Sequence, residues 1–260
     1  GDTLNRAVNW GLGSRLSSIW VKRSLERILK DNYDIIHLQS LFGHPLLNVL
    51  SKHMHTPIVV SCWGSDVFRN SKISHIALQQ KMLRRADAIT ATGPEFREIV
   101  LSKYGRNLSD RIHSTFYSPS LEIITSANPQ VANASFRQRY RIAHEKLILC
   151  LGHNGHRDGQ HILLLKGLSA ILEEQKCELH LVIPMTYGGD SDYQNEISTV
   201  AQQLGVDFTI LKEYGSDGEV AELRHASDVF LYAPVSDAFS ATVSQSLTAG
   251  CICILGSWLP

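Results

Sequence analysis

The chain lacks most of the features that would assign a protein to a class outright. Neither sign of charge is in excess: 25 Lys and Arg balance 25 Asp and Glu, a formal net charge of +0 with the histidines neutral. A global electrostatic attraction to nucleic acid or to anionic lipid is thereby excluded, and only local patches remain to be considered. No CxxC pair occurs among Cys62, Cys150, Cys177, Cys251 and Cys253. Most of these cysteines sit in or beside apolar runs, where a free thiol behaves as a small hydrophobe, the pattern expected in a reducing, cytoplasmic compartment. No apolar run approaches the length of a membrane span, and the opening GDTLNRAVNW has no signal-peptide pattern. Short-period repeats and low-complexity segments are also missing. The first residue is not Met, and the last three follow directly on a strand-like run, so both ends are expected to be cut.

What the chain has is alternation. Strand-like runs read YDIIHL (33–38), PIVVSC (57–62), DAITAT (87–92) and DRIHST (110–115), with helical stretches at 46–53, 75–85 and 95–103. The rhythm breaks over 116–145, where Pro119 and Pro129 stand among Ser, Asn and Ala. It resumes with KLILCLG (146–152), ELHLVIP (178–184), DFTILKE (207–213), DVFLYAP (228–234) and CICILG (251–256). Strands alternating with helices predict an α/β chain with parallel sheets and helices on both faces. A length of 260 residues exceeds what one core usually holds, so two incomplete domains are expected, over 1–118 and 146–260. Residues 119–145 are expected to form a linker with one short helix around 136–140.

The most informative stretch is DVFLYAPVSDAFSATVSQSLTAG (228–250). It reads as a buried strand opening through an acidic, small-residue loop onto a helix whose free N-terminal amides suit a phosphate. In a doubly wound sheet such a loop lies at the carboxyl ends of the strands, where these folds bind ligands. A second loop, GHNGHRDGQH (152–161), follows the first strand of the second half, and Gly152 and Gly155 would let the backbone approach a ligand there. His153, His156 and His161 with Asp158 invite a metal reading. The spacing has no matching cysteine or carboxylate pattern elsewhere, so no metal is expected.

Several segments resemble a known family. DIIHLQSLFGHP, PIVVSCWGSDVF and RADAITATGPEFREIVLSKYG are similar to the acceptor-domain segments of the "glycosyl transferases group 1" family, family 4-like GT-B enzymes with two Rossmann-like domains. VAELRHASDVFLYAPVSDAFSATVSQSLTAGCICILGSWLP is similar to its donor-domain signature. LGHNGHRDGQHI and LVIPMTYGG are also similar to segments of the lipid-linked acetamido-fucose transferases of enterobacterial surface-polysaccharide synthesis.

The resemblance implies transfer of a sugar, with retention, from a nucleotide-diphosphate-sugar to a glycan or lipid-linked glycan, with no cofactor and no nucleic-acid partner. It makes 1–118 the acceptor side and 146–260 the donor side. Asp237 falls where the family's first acidic residue sits near the donor sugar; the other reading is a helix N-cap or turn. Phe239, Ser240 and Ala241 form the turn facing the diphosphate. Gln245 stands in place of the second acid, which holds the ribose, and offers a neutral amide instead of a carboxylate. Arg157 is the basic occupant expected at the diphosphate, because a guanidinium pairs bidentately with phosphate, and His153 lies nearest the family's first basic position. Tyr187, Lys212, Glu213 and Tyr214 are expected to line the nucleoside pocket, with Tyr187 either stacked on the base or a plain surface tyrosine.

On the acceptor side, Trp63 replaces a reaction-centre His found in many relatives, and either stacks on the acceptor or packs. Asp66 is an acceptor contact or a cap. His44 is the exposed loop candidate, whereas His37 is expected to be a satisfied core residue. RLSSIWVKRSLERILK (15–30) reads as a core-facing helix or as a basic amphipathic one touching the inner face of a membrane. Two other classes share the fold: a GT-B nucleotide-sugar epimerase, which would form product without an acceptor, and a catalytically silent sugar-nucleotide-binding protein.

Overall fold

The computed structural model describes residues 23–24, 26–27, 33–41, 55–69, 72–116, 120–174, 178–189, 191–213 and 215–259. The chain divides into two compact units, Gly1–Phe116 and Tyr117–Pro260.

In the first unit four parallel strands lie in chain order, β1 (Ile36–Leu38), β2 (Ile58–Cys62), β3 (Ala88–Thr92) and β4 (Ile112–Thr115). Its described helices include α1 (Ser65–Phe68), α2 (Ile73–Arg85) and α3 (Gly93–Tyr104), and α3 packs on β3 and β4. Pro94 enters α3 at its first turn, where a missing N–H costs nothing, and Gly105 leaves it at a φ of 122°, open only to glycine without strain. The helical stretch expected at 46–53 and most of the helix expected over 15–30 lie outside the described residues.

The second unit carries a five-stranded parallel sheet in the order β7-β6-β5-β8-β9, made of β5 (Leu147–Leu151), β6 (Leu179–Pro184), β7 (Asp207–Leu211), β8 (Val229–Tyr232) and β9 (Ile252–Leu255). Side chains alternate between two cores. Ile148 and Cys150 join Phe136, Val182, Phe230 and Tyr232 on one face, and Leu149 and Leu151 join Leu165, Leu181, Ile183 and Ile197 on the other. A strand buried on both faces must be apolar throughout, which is why β6 is buried at every position. The strand order reverses between β5 and β8, and their carboxyl ends are the switch point where doubly wound sheets bind ligands.

The linker expected over 119–145 is instead part of this second unit. It holds α4 (Glu122–Thr125) and the twelve-residue α5 (Pro129–Tyr140), both packed on α8 (Asp217–Ala226). Asn128 caps α5 by accepting from Val131 N at 3.0 Å, and Arg139 pairs with Glu219 and, at 2.9 Å, with Glu222 of α8. The weak apolar pattern of this helix hid its length, because polar caps and ion pairs hold it as much as apolar contact does. The remaining helices are α6 (His161–Glu174), α7 (Ser191–Gln203) and α9 (Ala241–Thr248).

The same device sets strand register in both units. Asp87 donates its N–H to Ile58 O and accepts from Ile58 N through its carboxylate, each at 2.8 Å. Asp228 does the same with Ile148, at 2.9 and 2.7 Å. Each aspartate stands just before its strand and fixes which residue of the neighbouring strand lies opposite.

Asp66 ties the first unit's loops together. Its buried carboxylate accepts from Trp63 N at 2.8 Å and from Leu41 N at 2.9 Å, so the segments after β1 and β2 share one acceptor. Asp66 is not the cap of α1, whose N-cap is Gly64 with no side-chain bond, and its carboxylate, fully buried on two main-chain amides, has no open face for an acceptor either. Asp66→Ala leaves both amides unpaired. It is expected to lower the stability of the first unit by about 2–4 kcal/mol, seen as an earlier thermal transition and as faster exchange of the Leu41 and Trp63 amides.

Candidate functional site

The loop after β5 is wrapped around one histidine. His161 is fully buried at the start of α6, its Nδ1 lying 3.3 Å from Tyr193 Oη. A Cβ on Gly152, whose φ is +70°, would lie 2.8 Å from His161 Nε2, and one on Gly159 would lie 2.5 Å from His161 Cε1. Gly155 has a different neighbour: its Cβ would meet Gly188 O at 2.6 Å, while its N–H donates to Tyr187 O at 2.8 Å. These glycines serve close packing within the protein, so the expectation that Gly152 and Gly155 make room for a ligand is corrected. Two further bonds join this loop to the one after β8, from Val235 N to Asp158 O at 2.8 Å and from Gln160 Nε2 to Ala233 O at 2.7 Å.

The loops after β5, β6, β7 and β8 and the start of α9 surround a cavity of about 780 Å³. Nine of the residues expected at a donor site line it: His153, Tyr187, Lys212, Glu213, Asp237, Phe239, Ser240, Ala241 and Gln245. Tyr214 lies outside the described residues. Asp237 is fixed by two donors, Tyr232 Oη at 2.5 Å and Ala238 N at 2.8 Å. Burial, reinforced by the Asp237 carboxylate, raises the Tyr232 phenol above its ordinary range, so this hydroxyl stays protonated and donates. Asp237 is not the cap of α9. Ser240 holds that position and accepts from Val243 N at 3.3 Å, leaving the first-turn amides at the cavity's edge.

His153 sits between two aromatic rings, with centroids 5.3 Å from Tyr232 and 6.0 Å from Tyr187. Burial pushes its imidazole down to about 4 against the opposing pull of Asp237, so it is neutral near pH 7. Its Nδ1 is buried without a hydrogen-bond partner, whereas Nε2 lies 2.8 Å from Asn154 Nδ2.

Arg157 stands apart from this group. Its guanidinium lies 4.4 Å over the Tyr193 ring and 3.1 Å from Glu196, and the residue does not line the cavity. A long side chain in an exposed turn goes where a carboxylate and an aromatic face are offered, and both are supplied by α7. Sequence reasoning missed Arg224, which is 6% exposed and lines the cavity from α8. The signal was present, since Arg224 falls three and four residues after Ala221 and Val220, on their apolar side of the helix.

In the first unit Trp63 is 40% exposed. His37 is exposed and bonded to Ser61 Oγ at 2.8 Å, so it is satisfied, as expected, but is not a core residue: β1 is covered only in part on that face. His44 lies outside the described residues. Among the described residues no three His, Cys, Asp or Glu are placed to hold a metal ion, and no helix is long and apolar enough to cross a membrane.

Two parallel, helix-flanked sheets in successive units, the second with a ligand cavity at its switch point, define the class: the GT-B fold of glycosyltransferases. Residues 1–114 match the profile of Glycosyltransferase Family 4. No curated protein sequence matches the chain. Among solved structures it is similar to a glycosyltransferase from Rickettsia africae, with a TM-score of 0.70 and 14% identity over 90% of this chain and 60% of that one. It is also similar to Anabaena Alr3699/HepE in complex with UDP and glucose, with a TM-score of 0.70 and 13% identity over 92% and 62%. A third is a UDP-forming α,α-trehalose-phosphate synthase from Burkholderia xenovorans, with a TM-score of 0.69 and 13% identity over 95% and 65%. The chain thus spans about 60% of the length of the structures it matches.

Burial also lowers His161 to about 4. Between that value and the ordinary 6.5, the unfolded chain binds protons that the folded chain does not, so acid favours unfolding. Stability is expected to be full above pH 6.5, to fall as pH drops toward 4 by up to about 1.4 kcal/mol per pH unit for each histidine, and to lose nothing further through them below 4. Urea midpoints across pH 4–8 check this, and His153→Gln should flatten the slope.

Proposed function

We propose that this chain carries the donor-binding and acceptor-side units of a glycosyltransferase that moves a sugar from a nucleotide-diphosphate-sugar to a hydroxyl of a glycan or lipid-linked glycan. The carrying observation is the cavity at the β5/β8 switch, which gathers a fixed carboxylate, the N-terminus of α9, a neutral buried imidazole and the Tyr187 ring. Each part fits one feature of such a donor. The first-turn amides of α9 and the Lys212 ammonium meet diphosphate charge, Asp237 orients the sugar hydroxyls, and Tyr187 offers a face to the base. Gln245 takes the place of a ribose-binding carboxylate with a hydrogen-bonding amide.

In the transfer, the bond from the anomeric carbon to the β-phosphate oxygen breaks as the acceptor oxygen bonds to that carbon. The hydroxyl proton passes to an oxygen of the nucleoside diphosphate, which departs. Charge develops on the diphosphate, and preorganised donors at its position lower the barrier. In this reading no metal or cofactor takes part and the anomeric configuration is retained. Arg157 would join the diphosphate by leaving Glu196. The complexes of the Anabaena neighbour with UDP and UDP-glucose support a uridine donor. Acceptors of surface-polysaccharide synthesis belong to the same proposal through the likeness of the loops after β5 and β6.

Gln245 favours a second reading, a protein that binds the donor without turnover, because a neutral amide holds a diol less firmly than a carboxylate does. Calorimetric titration with UDP, GDP, TDP and ADP separates the two when combined with turnover assays on glycan and lipid-linked acceptors. One nucleotide is expected to bind. Asp237→Ala is expected to cut product formation about 100-fold or more while shifting the melting temperature by no more than a few degrees. Unchanged turnover would remove Asp237 from the mechanism, and binding without any turnover would favour the second reading.

A further inference from the structure

Arg224 is the one cavity residue whose burial calls for a ligand of defined charge. It is 6% exposed, and its Nε and Nη1 are sealed from solvent with no hydrogen-bond partner. Its guanidinium lies 5.9 Å over the Phe230 ring and touches the Cys150 thiol. Burial raises that thiol, so it stays protonated and supplies no negative charge. Among the described residues no carboxylate pairs with Arg224, and the two acids nearest on its own helix, Glu219 and Glu222, are held by Arg139. An arginine keeps its charge at any accessible pH, so neutralisation by proton loss is closed to it. A buried cation without a counterion is among the costlier arrangements a fold can hold.

The same residue lines the cavity, together with Leu223 of its own helix and Thr242 and Gln245 of α9. We propose that Arg224 is an anion-binding residue: the second unit's cavity takes a ligand bearing an oxyanion, phosphate or carboxylate, that supplies the counterion the protein lacks. Two donors of a planar fork suit either group. The inference deepens the proposed function, on which it rests, at the same cavity, and the inorganic probes below test it without a nucleotide.

The test uses the whole chain as wild type, Arg224→Met and Arg224→Lys, with inorganic phosphate, pyrophosphate, UDP, UDP-glucose and UDP-glucuronate as probes. Wild type is expected to bind at least one of them, and Arg224→Met to bind it at least tenfold more weakly, with Arg224→Lys between the two. In anion-free buffer Arg224→Met should be no less stable than wild type, because it removes an uncompensated buried charge. Equal dependence on Arg224 for UDP, UDP-glucose and UDP-glucuronate identifies the diphosphate as the oxyanion. Dependence confined to UDP-glucuronate identifies a carboxylate on the sugar. Dependence with phosphate or pyrophosphate, but no binding of UDP, sustains this inference while removing a uridine donor. Binding of every probe by Arg224→Met within twofold of wild type overturns it. Should that variant fail to fold, wild-type crystals soaked in pyrophosphate decide: density bonded to the guanidinium supports the assignment, and density elsewhere with Arg224 still unpaired refutes it.

Discussion

Everything at the candidate site depends on one pairing, that of β5 with β8. The strands are neighbours in space although their locked residues, Ile148 and Asp228, are 80 positions apart in the chain. The order of strands reverses there, so the following helices leave toward opposite faces and the loops at 152–160 and 233–240 have no helix between them. The carboxylate of Asp228 holds the register at the far end of these strands. A slip of one residue would turn the side chains of both strands to the wrong core and would part Asp237 from Tyr232.

The site so formed centres on groups that carry no charge or are held by neutral donors, although Lys212, Glu213, Arg224 and Asp237 also line it. His153 is neutral, Gln245 is neutral, and Asp237 is held by a phenol and an amide instead of a cation. In such surroundings each remaining charge acts over a longer range than it would in water. The Tyr187 ring lines the cavity, and Tyr232, which does not, packs its ring near His153. Polar specificity therefore rests on a small number of fixed groups, the usual composition of a small-molecule pocket.

The strand pattern was legible because parallel strands covered on both faces must be apolar runs, and those runs are bounded here by Asp, Gly and Pro. KLILCLG and ELHLVIP became β5 and β6 with a residue or so trimmed from the ends. The donor-side loops were legible for the same reason: once the strands are known, their carboxyl ends are known. Other features were hidden by long-range partners. Nothing near Arg157 in the chain announces Glu196 and Tyr193, and nothing near Asp66 announces the amide of Leu41. The length of α5 was masked because its stability comes partly from Asn128 and from Arg139 reaching α8. The burial of Arg224 was readable from the stripe it occupies, but a helical arginine is so often solvated that the position carried little weight.

The loop wound around His161 has a consequence for how this sequence is free to drift. Gly152 and Gly159 are small because an imidazole fills the space where their side chains would be, and Gly152 is also fixed by a left-handed φ. A residue larger than glycine at 159 is tolerable only after position 161 has shrunk, and shrinking 161 first opens a void beneath the loop, while at 152 the left-handed φ strains a larger residue whatever the space. For 159 and 161 each single step is unfavourable while the combined change need not be, so these two positions form one inherited unit that evolution or a designer must replace together.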